Sequence, residues 1–80
     1  MHLIIISSNK TIFDDNNIES ISLPGLQGNF QILKNHINII SRLIAGNIVY
    51  VYEGQQEKKS LEISEGIATV HNNNIVVILD

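Results

Sequence analysis

The residues able to do acid–base or metal chemistry in this chain of 80 are few and scattered. Three histidines stand at positions 2, 36 and 71. No two have the i, i+3 or i+4 spacing that sets a ligand pair on one helix face. Asp14 and Asp15 offer paired carboxylates to a cation, but Asn16 and Asn17 follow, and the four together read as a solvated turn. Glu57, Glu62 and Glu65 fall in or beside a polar hairpin and serve there as solubilising charges. No Gly-x-Ser-x-Gly elbow, Gly-x-Gly-x-x-Gly or phosphate-binding Gly–Lys–Ser loop occurs. The absence of cysteine removes both a disulfide framework and a thiolate zinc site. A small hydrolase would have to use His36 with Asp14 or Asp15, and no nucleophile is placed beside such a pair. These residues predict a non-catalytic protein with no metal and no cofactor.

The most informative stretch is Pro24-Gly-Leu-Gln-Gly-Asn-Phe-Gln-Ile-Leu-Lys-Asn-His36. It combines a Pro–Gly turn signal, a second Gly, an aromatic–apolar strand and a loop ending in His. Such an arrangement projects polar groups past a sheet edge. It is equally the description of a hairpin connection carrying an incidental histidine.

Composition defines the elements that must hold these residues. Charged residues are only 16%, against an average near ~25%, so Asn and Gln dress the surface instead. The apolar fraction is mostly Ile with some Val, β-branched residues stiff at χ1 that suit strands. Turn signals recur at short intervals: Asn9-Lys10, Asp14 to Asn17, Pro24-Gly25, Gly28-Asn29, Gly46-Asn47, Gly54-Gln55, Glu65-Gly66 and the Asn72-Asn73-Asn74 run. Apolar runs of strand length lie between them, the pattern of a sandwich or barrel.

Alternation is uneven. Lys59, Leu61 and Ile63 share one strand face, with Ser60, Glu62 and Ser64 on the other. Ile21 and Leu23 likewise oppose Ser20 and Ser22. Residues 3–6, 48–52 and 75–79 are apolar on both faces, as in central strands or strands with a covered second face. Their number in so small a chain predicts a second interface. The stretch 33–44 is ambiguous: Leu33, Ile37, Ile40 and Ile44 fit one helical face, while β-branched residues and Asn29, Asn35 and Asn38 favour strand–loop–strand.

Bulk properties narrow the partners. Five Lys plus Arg against eight Asp plus Glu give a net charge of −3, which argues against nucleic acid, whose binders carry a basic stripe. No apolar run approaches the ~20 residues that span a bilayer, and the opening lacks a basic secretory n-region. The expectation is one domain over residues 1–80, cytosolic or peripheral on something cytosolic, with no membrane insertion of its own.

The 24–36 stretch resembles the signature of the epsilon subunit of the rotary proton-translocating ATP synthase, Gly-x-Phe/Leu-Gly-Ile-Leu-Pro-Gly-His-Ala-Pro. Gly28, Phe30, Ile32, Leu33 and His36 match it. The likeness extends to the opening strand at 2–7, a short element at 11–13, the strand at 18–23, the turn and strand at 45–49, the Leu61-Glu-Ile-Ser-Glu-Gly-Ile67 segment and the last strand at 74–80. Lys34 and Asn35 stand where the family has Pro–Gly, Asn38 where it has Pro, and Glu65 where it has the first of two glycines. The family's C-terminal helical hairpin has no counterpart in these 80 residues, so hairpin-based inhibition and ATP sensing are not expected of them.

The resemblance implies an all-β, flattened two-sheet β-sandwich, with 33–44 extended. It implies a non-catalytic central-stalk (rotor) subunit that binds gamma and the c-ring and couples proton-driven rotation to ATP synthesis, at the cytoplasmic face of the inner membrane. By position, Asn29 falls where the family meets the c-ring loops, and Ser7, His36 and Ser41 on the side facing gamma or the lower head. Phe30, Ile39 and Ile40 neighbour them as apolar contributors. The competing expectation is a free-standing β-sandwich module for a peptide or small ligand.

Overall fold

The computed structural model describes all 80 residues, Met1–Asp80. Nine strands follow one another: β1 (His2–Ser7), β2 (Lys10–Asp15), β3 (Ile18–Gly25), β4 (Gly28–Leu33), β5 (Ile39–Leu43), β6 (Gly46–Tyr52), β7 (Lys59–Ile63), β8 (Gly66–His71) and β9 (Asn74–Leu79). The ambiguous 33–44 stretch is strand–loop–strand. Asn35 lies at φ 66°, a left-handed backbone that no α-helix admits. No helix is long and apolar enough to cross a membrane.

Asparagine chemistry sets two of the registers. Ser8 and Asn9 (φ 52° and 62°) join β1 to β2, and Asn72 and Asn73 (φ 49° and 64°) join β8 to β9. Two consecutive left-handed residues are the type I′ geometry whose twist matches a hairpin. The β3–β4 turn falls between its two sequence signals rather than on either. Pro24 pairs with Asn29 and Gly25 with Gly28, leaving Leu26 and Gln27 as the turn. Gly25 is needed for space, since a Cβ there would sit 2.7 Å from the Gly28 carbonyl oxygen and 2.8 Å from the Phe30 ring.

Strand pairing runs β2-β1-β9-β8-β5-β3-β6-β7, with β4 on the free side of β3. The β3–β5 link is a single bridge, Gly25 to Leu43. The ladder therefore divides into a five-stranded sheet (β2-β1-β9-β8-β5) and a four-stranded sheet (β4-β3-β6-β7). Every pairing is antiparallel except β1 with β9.

Sixteen buried residues from both sheets form one hydrophobic cluster. Leu3, Ile5, Ile75 and Val77 come from the first sheet, and Ile21, Leu23, Ile32 and Ile48 from the second. Each fully buried side chain of this size contributes about 1.5–3 kcal/mol. The architecture is the expected flattened two-sheet β-sandwich, 32 × 23 × 20 Å in extent. The alternations at 20–23 and 59–63 hold: Ile21, Leu23 and Ile63 are buried, while Ser60 and Glu62 are exposed.

Candidate functional site

Register fixes what each sheet turns outward. On the five-stranded sheet, Ile4, Val76, Thr69 and Ile40 form one row across β1, β9, β8 and β5. Ile6, Ile78, Ile67 and Arg42 form the next. Opposite parity places their neighbours Leu3, Ile5, Ile75, Val77, Ala68 and Val70 in the core. Ile40 is 77%, Ile78 55% and Ile67 47% exposed, so this outer face is largely apolar, with Thr69 standing between Val76 and Ile40. It explains the runs at 3–6 and 75–79 that read as apolar on both sides; the third such run, 48–52, lies in β6 of the other sheet. Ile67 belongs to the same surface, and its small neighbours Gly66 and Ala68 conceal it from a sequence reading.

The outer face of the four-stranded sheet differs. Its rows are Leu33, Ser20 and Val51, and Gln31, Ser22, Val49 and Ser60, followed by the separate pairs Pro24–Asn29 and Asn47–Glu62. Hydroxyl and amide groups dominate, with Val49 and Val51 half-buried among them and Leu33 exposed on the edge strand. This is an ordinary solvated sheet face.

A groove of about 630 Å³ opens at the corner where the sheets join, lined by the β3–β4 turn and β5. Leu26, Asn29, Phe30, Ile40, Ser41 and Arg42 are among its walls. The corner is closed by backbone bonds from Leu26 N–H to the Arg42 carbonyl and from Ile44 N–H to the Pro24 carbonyl, both 2.9 Å. Three of the five expected site residues, Asn29, Phe30 and Ser41, therefore meet in one place. Phe30 is half-buried and packs against the core, whereas Asn29 is exposed at the start of β4.

The other two lie elsewhere. Ser7 ends β1 and reaches the groove only along the register Ser7–Leu79–Gly66–Leu43–Gly25, four strand spacings away. His36 sits at the opposite end of β5, in the β4–β5 loop, its Nδ1 2.7 Å from the Ile37 carbonyl oxygen. Leu26 and Arg42, prominent at the groove, carry no signal in the sequence beyond standing beside a turn and within a strand.

Both aspartates are engaged away from His36. Asp14 Oδ1 lies 2.5 Å from His2 Nε2, and Asp15 Oδ2 accepts the Tyr52 hydroxyl at 2.5 Å. That hydrogen bond, with a smaller contribution from burial, pushes the Tyr52 phenol up to about 12. Tyr52 also meets Tyr50 edge-on, and Tyr50 meets Phe13, with ring centroids 5.6 and 5.1 Å apart. The cluster joins β2 to β6 and so ties the sheets together; His2, half-buried, opens β1.

The family model described as the ATP synthase, Delta/Epsilon chain, beta-sandwich domain matches residues 1–80. An ATP synthase epsilon chain of Campylobacter concisus is 32% identical over 80 residues, covering all of this chain and 60% of the relative. One from Lawsonia intracellularis is 37% identical over 82 residues, covering all of this chain and 58% of the relative. The chain thus spans about 60% of the length of these curated relatives. A chain of the Euglena gracilis mitochondrial ATP synthase (OSCP/F1/c-ring) superposes with a TM-score of 0.86 at 22% identity, over 96% of this chain and 48% of that one. A chain of the Tetrahymena thermophila central stalk/c-ring structure does so with a TM-score of 0.79 at 11% identity, over 98% and 61%. At those identities the two superpositions establish the shared fold.

Proposed function

This chain belongs to the delta/epsilon-chain β-sandwich family of ATP synthase, and from that premise we propose that it is a non-catalytic rotor part joining gamma to the c-ring. It performs no bond chemistry of its own and transmits torque by staying attached at two places. The protein is then peripheral, held by its partners at the cytoplasmic face of the inner membrane and inserting nothing into the bilayer.

The observation that carries this reading is the apolar outer face of the five-stranded sheet. A β-sandwich needs only its inner faces apolar. Rows of Ile and Val on an outer face leave hydrophobic area in water, of the kind that marks an interaction surface. Ile4, Ile6, Val76, Ile78, Ile67 and Ile40 supply the centre, and Arg42, His71 and Asp14 lie at its margin. An apolar centre with a polar rim is the anatomy of a lasting protein interface. We assign this face to gamma, and the loop carrying His36 to its border. The β3–β4 hairpin tip, with Asn29 exposed and Phe30 anchoring it to the core, is assigned to the polar loops of the c-ring. Ser41 and Ser7 contribute polar groups along the same end of the sandwich.

Purified gamma provides the test. Binding of the chain at micromolar concentration or tighter supports the reading, and absence of binding at tens of micromolar removes it.

A further inference from the structure

The β4–β5 loop, residues 34–38, has neither the proline nor the glycine that would restrict or permit its path, yet it adopts a defined one. Asn35 takes a left-handed backbone at φ 66°, a conformation that asparagine tolerates better than most residues. The β8–β9 turn holds it there. The Asn35 N–H donates to Asn73 Oδ1 at 2.6 Å, and Asn73 Nδ2 donates back to Asn35 Oδ1 at 3.2 Å. A third bond joins the same two segments: the Asn72 N–H donates to Asn38 Oδ1 at 3.2 Å. The turn is itself anchored, because the Asn73 carbonyl accepts the His2 N–H of β1 at 3.0 Å. Two segments almost forty residues apart are thus joined at both ends of the loop by side-chain amides.

We infer that Asn35, Asn38 and Asn73 form a clasp that positions the β4–β5 loop, and with it His36 and Ile37, for partner docking. Ile37 is 75% exposed and stands outside the hydrophobic core cluster. Asn38 lines a shallow depression with Ile40, Thr69 and His71, so the loop borders the apolar outer face. A loop fixed before docking loses less conformational entropy on binding than a free one. The clasp does with amide hydrogen bonds what a Pro–Gly pair does with restricted φ and freedom from a Cβ. The docking role rests on the gamma reading; the clasp itself does not.

Native-state hydrogen exchange on the full chain tests the clasp. Asn73→Gly suits the left-handed turn and removes only the amide. It should speed exchange at the Asn35 N–H at least tenfold and leave the strand amides of Ile5 and Val77 unchanged. Asn73→Asp keeps the Oδ acceptor and should hold Asn35 within threefold of wild type. Asn38→Ala should release the Asn72 N–H alone. Unchanged exchange at Asn35 in Asn73→Gly, or equal acceleration at Ile5 and Val77, overturns the clasp. Gamma affinity measured on the same proteins tests the docking role. A fivefold or greater loss in Asn73→Gly that Asn73→Asp restores supports it, and equal affinity in all three overturns it. A wild-type chain that fails to bind gamma overturns the docking role with the reading beneath it, while the exchange rates judge the clasp separately.

Discussion

The two outer faces of this sandwich are built from the same strand chemistry and reach opposite results. On the four-stranded sheet, Ser20, Ser22, Gln31, Asn47 and Ser60 alternate with the core residues Ile21, Ile32 and Ile48 and with Leu61, which packs partly buried against the core. On the five-stranded sheet, the positions alternating with Leu3, Ile5, Ile75 and Val77 are filled by Ile4, Ile6, Val76 and Ile78. Both faces satisfy their backbone through the same ladders, so folding does not require the difference. Apolar side chains left in water gain nothing until a second surface covers them, and the contrast is what supports the proposed gamma surface.

Charge insertion should break the contrast with the largest effect. Ile78→Lys places an ammonium at the centre of the proposed gamma surface, where burial without a partner is costly. Affinity for gamma should fall at least a hundredfold, about 2.7 kcal/mol, with little change in melting temperature, because Ile78 is half exposed in the free chain. Ser22→Lys, the equivalent change on the polar face, should alter affinity less than threefold. Titration calorimetry of both variants makes the comparison.

Phe30→Ala probes the corner between the faces. A fully buried Phe contributes ~3–5 kcal/mol against Ala. Phe30 is half-buried against the core, so a loss of about 2–3 kcal/mol is expected in urea unfolding, together with weaker c-ring binding as the hairpin loses its anchor. Asn29→Ala, at the exposed tip, should leave stability unchanged and weaken c-ring binding only about threefold to tenfold. C-ring affinity unchanged from wild type in both variants would exclude the hairpin tip from that contact.

The smallest expected effect concerns the cluster that ties the sheets together. Hydrogen bonding to Asp15 raises Tyr52 from its ordinary value of 10.0 to about 12, so the native state holds this proton more tightly than the unfolded chain. Its contribution is complete below pH ~10 and is lost as pH climbs toward ~12. Wild-type stability should therefore decline across that window more steeply than that of Tyr52→Phe, as followed by urea unfolding at a series of alkaline pH values.

The sequence made the contrast between faces half visible. Runs such as Leu3 to Ile6 and Ile75 to Leu79 break period-2 alternation, and that break is the outer apolar face seen in one dimension. Ile67 escapes, and Ile40 enters only as an apolar neighbour of the expected contact residues, because each belongs to a strand that reads differently alone. Ile67 faces outward between Gly66 and Ala68, residues too small to display alternation, and Ile40 lies in a stretch whose spacing also fits a helix. Only register across β9, β8 and β5 aligns them.

The β3–β4 turn departs from its sequence signals for a related reason. Pro24, Gly25 and Gly28 carry turn chemistry, but close packing of Phe30 over Gly25 places all three inside the hairpin ladder. Among the expected site residues, Asn29, Phe30 and Ser41 converge because one corner joins β3, β4 and β5. The separation of Ser7 and His36 depends on strand order, which no local pattern encodes.

The absence of cysteine allows a direct measurement of which face is covered. Single-thiol variants Ile78→Cys and Ser22→Cys, one on each outer face, can be labelled with a maleimide with and without saturating gamma, and modification of the chain followed by mass. The account predicts that gamma slows labelling at position 78 at least tenfold and leaves position 22 within twofold of its free rate. Equal rates at position 78 with and without gamma, or protection confined to position 22, would contradict it.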